Sequence, residues 1–194
     1  MSGWTVADVR RAVESGAGRS LELPGHGRAA VLVPVIDAPE GPALLFTVRA
    51  AGLVRHAGQV AFPGGRVEPG ETLVAAALRE AEEEVGLVVD PADVFGLLDD
   101  RRSPFALVAT PVVARVAWPT ELRPQPGEVA EVFTLPLVTL AAAPVVRETR
   151  LHEGVARELH RYEVAGRCVW GLTGNVVKDL LDRLGRLGAA QKPC

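Results

Sequence analysis

The 194-residue chain is 48% hydrophobic and 23% charged, with a formal net charge of -3, the make-up of an ordinary globular domain. No apolar run approaches the roughly 20 residues a membrane-spanning helix needs, and the N-terminal residues lack the apolar stretch of a secretory leader, so a cytoplasmic protein without membrane partners is expected. The net acidity excludes a general basic field for nucleic acid, and two cysteines, Cys168 and Cys194, make neither a disulfide framework nor a metal cluster; Cys168 is expected in the core.

Residues 1–15 read as a short amphipathic helix with Thr5 as its N-cap. An irregular Gly/Pro/Arg lead-in (17–28) precedes a β-branched run at 29–36. The turn-forming stretch 37–42 and a second run at 43–48 complete a hairpin. A loop over 50–57 carries Arg55 and His56, and a short strand at 59–62 is broken by Pro63-Gly64-Gly65. A helix is predicted over 72–85, capped by Glu71 or Thr72 and stopped by Gly86. Its apolar stripe is Val74, Ala77, Leu78, Ala81 and Val85. Strands at 94–98 and 107–116 follow, joined by DDRRSPF. A Pro-rich loop (120–128) leads to a strand at 129–135, a helical turn at 137–142, and strands near 145–150 and 158–164. The terminal helix, 173–187, turns Val176, Val177, Leu180, Leu181 and Leu184 inward. Strands and helices mix without a βαβ repeat, which predicts a mixed α/β sheet between helices in one domain spanning 1–194.

The informative stretch is 65–87. Glu80, Glu83 and Glu84 crowd onto less than two turns of the predicted helix, beside its apolar stripe. Like charges at i,i+3 and i,i+4 repel, and a divalent cation, which takes oxygen ligands, would resolve that conflict. A solvated acidic face is the other reading of such a run, and on these residues alone both stand.

From Gly65 the chain reads Gly, five residues, Glu71, seven residues, then Arg79-Glu80-Ala81-Glu82-Glu83-Glu84-Val85-Gly86-Leu87. This pattern resembles the Nudix box, with every defining position filled. The resemblance implies the Nudix fold, a mixed β-sheet sandwiched between helices. It also implies Mg²⁺- or Mn²⁺-dependent hydrolysis of a nucleoside diphosphate linked to another moiety. Position by position, Glu80 and Glu84 match the main metal ligands, and Glu83 a further ligand or the base. The backbone carbonyl of Gly65 completes the site. Arg79 and Glu71 match structural positions, and Glu82 fills a variable, exposed slot. In many members the base lies outside the box on a loop, where Glu128 is the candidate here.

Residues 44–65, LLFTVRAAGLVRHAGQVAFPGG, resemble the additional motif of the coenzyme A pyrophosphatase branch. Leu44-Leu45, Thr47, Arg49, Ala50, Leu53, His56, Gly58-Gln59 and Phe62-Pro63-Gly64-Gly65 all fit; Val54 replaces a basic residue, and Arg55 takes over that role. ATPVVA (109–114), EVAEVFTLPL (128–137) and VWGLTGNVV (169–177) extend the likeness over about 28–185. The implied reaction cleaves coenzyme A to 3′,5′-ADP and 4′-phosphopantetheine, with free, acylated or oxidised coenzyme A as substrate. Arg49, Arg55, His56, Gln59 and Gly64 are then the substrate-binding candidates. An acidic protein needs such local cations for a phosphate-rich ligand, and arginine forks suit phosphate; Arg101 and Arg102 are a second candidate pair. The main alternative is another Nudix hydrolase, acting on ADP-ribose or on damaged nucleoside triphosphates. The complete box argues against a non-catalytic binding module. The oligomeric state is open.

Overall fold

The computed structural model describes residues 3–53, 56–103, 106–152 and 155–190. The chain begins with α1 (Val6–Glu14), β1 (Gly27–Ala38), β2 (Gly41–Arg49), β3 (Val60–Ala61), β4 (Gly64–Arg66) and α2 (Leu73–Val85). It continues with β5 (Val94–Leu97), β6 (Arg101–Ser103), β7 (Leu107–Val116), β8 (Val129–Pro136) and α3 (Leu137–Ala142). Strands β9 (Val145–His152), β10 (Val155–Val164) and β11 (Arg167–Trp170) precede the last helix, α4 (Gly171–Ala190).

The sheet grows from the β1–β2 hairpin, whose register runs from Val35–Leu44 to Ala38–Gly41. The turn is therefore tighter than the predicted 37–42. β1 is apolar at almost every position because both of its faces are covered. Alternate residues Ala30, Leu32 and Ile36 join Ala43 and Leu45 under α2. Val33 and Val35 join Leu44 and Phe46 in the opposite core. β7 runs parallel to β1 from Gly27–Leu107 to Ile36–Val116, and the remaining pairings are antiparallel, so the sheet is mixed. α2 packs on one face. On the other lie α1, α4 and a three-stranded antiparallel sheet ordered β11-β10-β9.

Helix ends follow their capping residues. Thr5 and Asp8 form a reciprocal capping box on α1. Thr72, not Glu71, caps α2 through the Ala75 N–H at 3.1 Å, and Gly86 ends α2 with φ 67°. The structure adds three strands to the predicted set: β4, which starts within the predicted Pro63-Gly64-Gly65 break, β6 within DDRRSPF, and β11. β4 and β6 are three residues long and are held by the edges of β1 and β7. Cys168 sits half-buried on β11 rather than in the core, and Cys194 lies outside the described residues. Among the described residues no helix is long and apolar enough to cross a membrane.

Candidate active site

β4 and α2 are two arms of one unit, and Arg79 fastens them. Its guanidinium donates to Glu71 at 3.0 and 3.2 Å, to Glu80 at 3.0 Å, to Glu83 at 3.0 Å and to the Arg66 carbonyl at 3.1 Å. Glu71 also accepts the Glu68 N–H at 3.0 Å, and the Arg79 contact, seconded by this bond, keeps its carboxyl below the usual range. The loop between strand and helix is thus closed by side chains from the helix itself.

The three carboxylates are unequal. Glu84 is only 5% exposed. The wheel reading set it beside the apolar stripe, yet it lies within the buried face with Ala77 and Ala81. Its Oε2 accepts the Gly64 N–H at 3.2 Å, and its Oε1 stands 3.9 Å from Arg49 Nη1. Burial pushes the Glu84 carboxyl up to about 7; the Gly64 bond and Arg49 oppose that, while the charges of Glu80 and Glu128 add to it. Burial also raises Glu80, against the pull of Arg79 and with the push of Glu83 and Glu128. Glu83 is exposed and turned to Arg79, and Glu82 is exposed, as its variable slot implies.

Gly64 and Gly65 are required by close approach. A Cβ at Gly64, whose φ is +156°, would strike the Ala30 carbonyl and Val31; one at Gly65 would occupy the space of the Glu80 carboxylate. The two glycines thus bring both acids against β4, Glu80 beside Gly65 and Glu84 on the Gly64 N–H. Among the described residues, no group of three or more acidic, His or Cys side chains forms a ready metal cage. Glu80, Glu84 and the Gly65 carbonyl nonetheless offer hard oxygen donors of the kind Mg²⁺ combines with water and substrate phosphate.

Two loops border this pair. Residues 50–59 leave and return at one point: the Arg49 N–H donates to the Gln59 carbonyl at 3.0 Å and the Gly58 N–H to the Arg49 carbonyl at 2.9 Å. His56 takes a left-handed backbone (φ 59°), with Nδ1 2.6 Å from Gln59 Oε1. Arg49 is half-buried, with its Nε lacking a hydrogen-bond partner. Arg55 and Val54 lie outside the described residues. The second loop, 117–128, docks on the C-terminus of α2, where the Arg123 N–H donates to Val85 at 2.7 Å and the Gln125 N–H to Glu84 at 2.8 Å. That docking carries Glu128 within electrostatic reach of Glu80 and Glu84, and its carbonyl accepts the Ala50 N–H at 2.8 Å.

The structure thus assembles Arg49, Gly64, Gly65, Glu80, Glu84 and Glu128 in one neighbourhood, with His56 and Gln59 on the bordering loop. Arg101 is not among them: it points to α4 and pairs with Asp179 at 3.0 Å. Sequence reasoning missed the docking of 117–128 onto α2. It also missed the burial of Glu84, although the spacing Ala77, Ala81, Glu84 (i, i+4, i+7) carries that signal.

A mixed sheet between helices, with an acidic helix edge closed against a glycine strand, is the arrangement that the resemblance to the Nudix box implies. The comparisons with known proteins agree. The family model for the NUDIX domain matches residues 26–160. The uncharacterized Nudix hydrolase NudL of Cronobacter sakazakii is 40% identical over 168 residues, covering 81% of this chain and 83% of that one. That of Yersinia pestis is 37% identical over 159 residues, covering 81% and 79%. The crystal structure of a MutT/nudix family protein from Enterococcus faecalis superposes with a TM-score of 0.58 at 15% identity, over 96% of this chain and 76% of that one. RenU, a Nudix hydrolase from M. smegmatis, gives 0.51 at 23% identity, over 88% and 89%. The chain belongs to the Nudix family. It is a Nudix hydrolase, of a family that acts on diphosphate bonds of small molecules with divalent metal ions.

Proposed function

We propose that this Nudix hydrolase cleaves the diphosphate of coenzyme A, giving 3′,5′-ADP and 4′-phosphopantetheine. The observation that carries the reading is segment 44–65. It matches the coenzyme A pyrophosphatase branch in sequence, and Arg49, at the end of its strand, stands 3.9 Å from Glu84. That approach supports the reading, because it joins segment 44–65 to the helix that carries Glu80 and Glu84.

In this reading Glu80 and Glu84, with Glu83 and the Gly65 carbonyl, would hold Mg²⁺ or Mn²⁺. When bound, such an ion would supply charge neutralisation at the phosphoryl oxygens and a lowered pKa for water. Arg49, Arg55 and His56 bind phosphate oxygens, and Gln59 holds the His56 ring. The Gly64 N–H orients Glu84. Glu128 takes the proton of the attacking water, whose oxygen adds to phosphorus as the bridging P–O bond breaks; positioning and electrostatics, not covalent catalysis, lower the barrier. Glu83, which lies 3.0 Å from Arg79, is the alternative to Glu128 as the base. The unit extends over residues 1–194 as one domain acting in the cytoplasm on a small molecule.

The test is a panel of coenzyme A, acetyl-coenzyme A, oxidised coenzyme A, ADP-ribose and nucleoside triphosphates, incubated with Mg²⁺ or Mn²⁺ and resolved by mass. Release of 3′,5′-ADP from coenzyme A at the highest kcat/KM is expected. Intact coenzyme A beside cleaved ADP-ribose would refute the assignment.

A further inference from the structure

Strand β9 ends the three-stranded sheet and, among the described residues, pairs with β10 alone. An edge strand presents a row of backbone donors and acceptors, and proteins blunt such edges with Pro, Lys or bulges. β9, VVRETRLH, has no Pro, and its register with β10 is unbroken from Val145–Tyr162 to His152–Val155; its charges are Arg147, Glu148 and Arg150, of both signs. The hairpin is exposed on both faces over most of its length: Leu151 is 78% exposed, and Val145, Val146 and Val155 are also in solvent.

The charges on this edge are what name its occupant. Pairing of β9 with another β9 around a two-fold axis normal to the sheet sets residues of equal parity opposite one another. A register centred on Arg147, on Glu148 or on Arg150 brings that residue against its own copy, like charge to like charge. The register centred on Thr149 sets Glu148 against the partner's Arg150, and Arg150 against the partner's Glu148. Glu148 and Arg150 already share one face, with Arg150 Nη2 2.9 Å from Glu148 Oε2, so the pairing closes a ring of four alternating charges. On the opposite face the Arg147 stem covers the partner's Leu151, a contact suited to an amphipathic side chain. Opposite charges across a strand pair stabilise and like charges oppose, and register is specified by such patterns.

We propose that the protein forms a two-fold homodimer by antiparallel β9–β9 pairing, centred on Thr149, which joins two three-stranded sheets into one of six strands. The contact is one strand wide, smaller than the roughly 1,200 Å² at which standard interfaces begin, so the dimer is reversible and concentration-dependent. The proposal is independent of the substrate.

Sedimentation velocity over a concentration series tests it, with far-UV circular dichroism to verify folding of each variant. The wild-type chain is expected to shift to twice the chain mass as concentration rises. Glu148→Arg and Arg150→Glu, at a half-buried and an exposed strand position, are each expected to stay at the chain mass. The combined swap E148R/R150E restores the alternating ring and is expected to restore the dimer. A wild-type chain that stays monomeric at its highest soluble concentration overturns the proposal. So does a dimer indifferent to either reversal, or one that the combined swap fails to restore.

Discussion

Glu84 and Asp100 are buried to the same degree, each 5% exposed, on opposite sides of the molecule's chemistry. Burial raises both carboxyls, yet one is pushed up to about 7 and the other is held below the ordinary carboxylate range. The difference lies in their partners. Asp100 accepts two bonds from Arg28 at 2.8 and 3.2 Å, one from the Thr110 hydroxyl at 2.5 Å and one from the Leu21 N–H at 2.8 Å. Glu84 has one main-chain N–H at 3.2 Å and a guanidinium at 3.9 Å. Asp100 is a satisfied anion that fastens the segment before β1 to the strand β7 beneath it. Glu84 is a carboxyl whose desolvation the protein compensates only in part, a condition under which a cation gains by binding. A buried acid marks a functional site through its missing partners, not through its burial.

Exchanging each acid for its amide separates the two. Glu84→Gln is expected to lower kcat at saturating Mg²⁺ on the order of a thousandfold, the upper end for removal of one group that stabilises transition-state charge. Its thermal midpoint should not fall, since the amide relieves a buried charge that is only partly compensated. Comparable turnover in the two proteins would remove Glu84 from the chemistry. Asp100→Asn is expected to reverse the pattern, leaving turnover per folded molecule unchanged. It should cost about 2 kcal/mol of stability, less than a fully buried ion pair because Arg28 is partly exposed. The pH dependence follows the same sign. Asp100 lies below its unfolded pKa of about 3.9, so its contribution is complete above that pH and is lost as pH falls through the folded value. Urea titrations between neutral pH and pH 3 should therefore show a shallower acid-side loss in Asp100→Asn than in wild type; parallel curves would break the comparison.

The parts of this contrast differ in how far the sequence reveals them. The long strands and α2 follow from β-branched runs and helical spacing because each is stabilised by its own periodic burial. Glu80 and Glu84 stood out by box spacing, whereas Glu84's inward position was missed although its interval to Ala77 and Ala81 carries it. β4 and β6 were not legible, because three-residue strands have no periodicity of their own and are defined by the edges of β1 and β7. Glu128 was named on the resemblance, but the contacts that bring it to Glu80 and Glu84 were hidden. They depend on main-chain bonds from Arg123 and Gln125 to the end of α2, and backbone donors leave no mark on residue identity. Thr110 and Arg28 meet Asp100 only because β1 and β7 run parallel in one register.

The central claim is that Glu84's missing partners are the seat of a divalent ion. Mn²⁺ binding to wild type, Glu84→Gln and Asp100→Asn, read by electron paramagnetic resonance of the free ion, tests it without reference to substrate. Wild type and Asp100→Asn are predicted to bind alike, and Glu84→Gln at least about tenfold more weakly, the loss of at least about 1.4 kcal/mol. Equal binding by all three would contradict the claim.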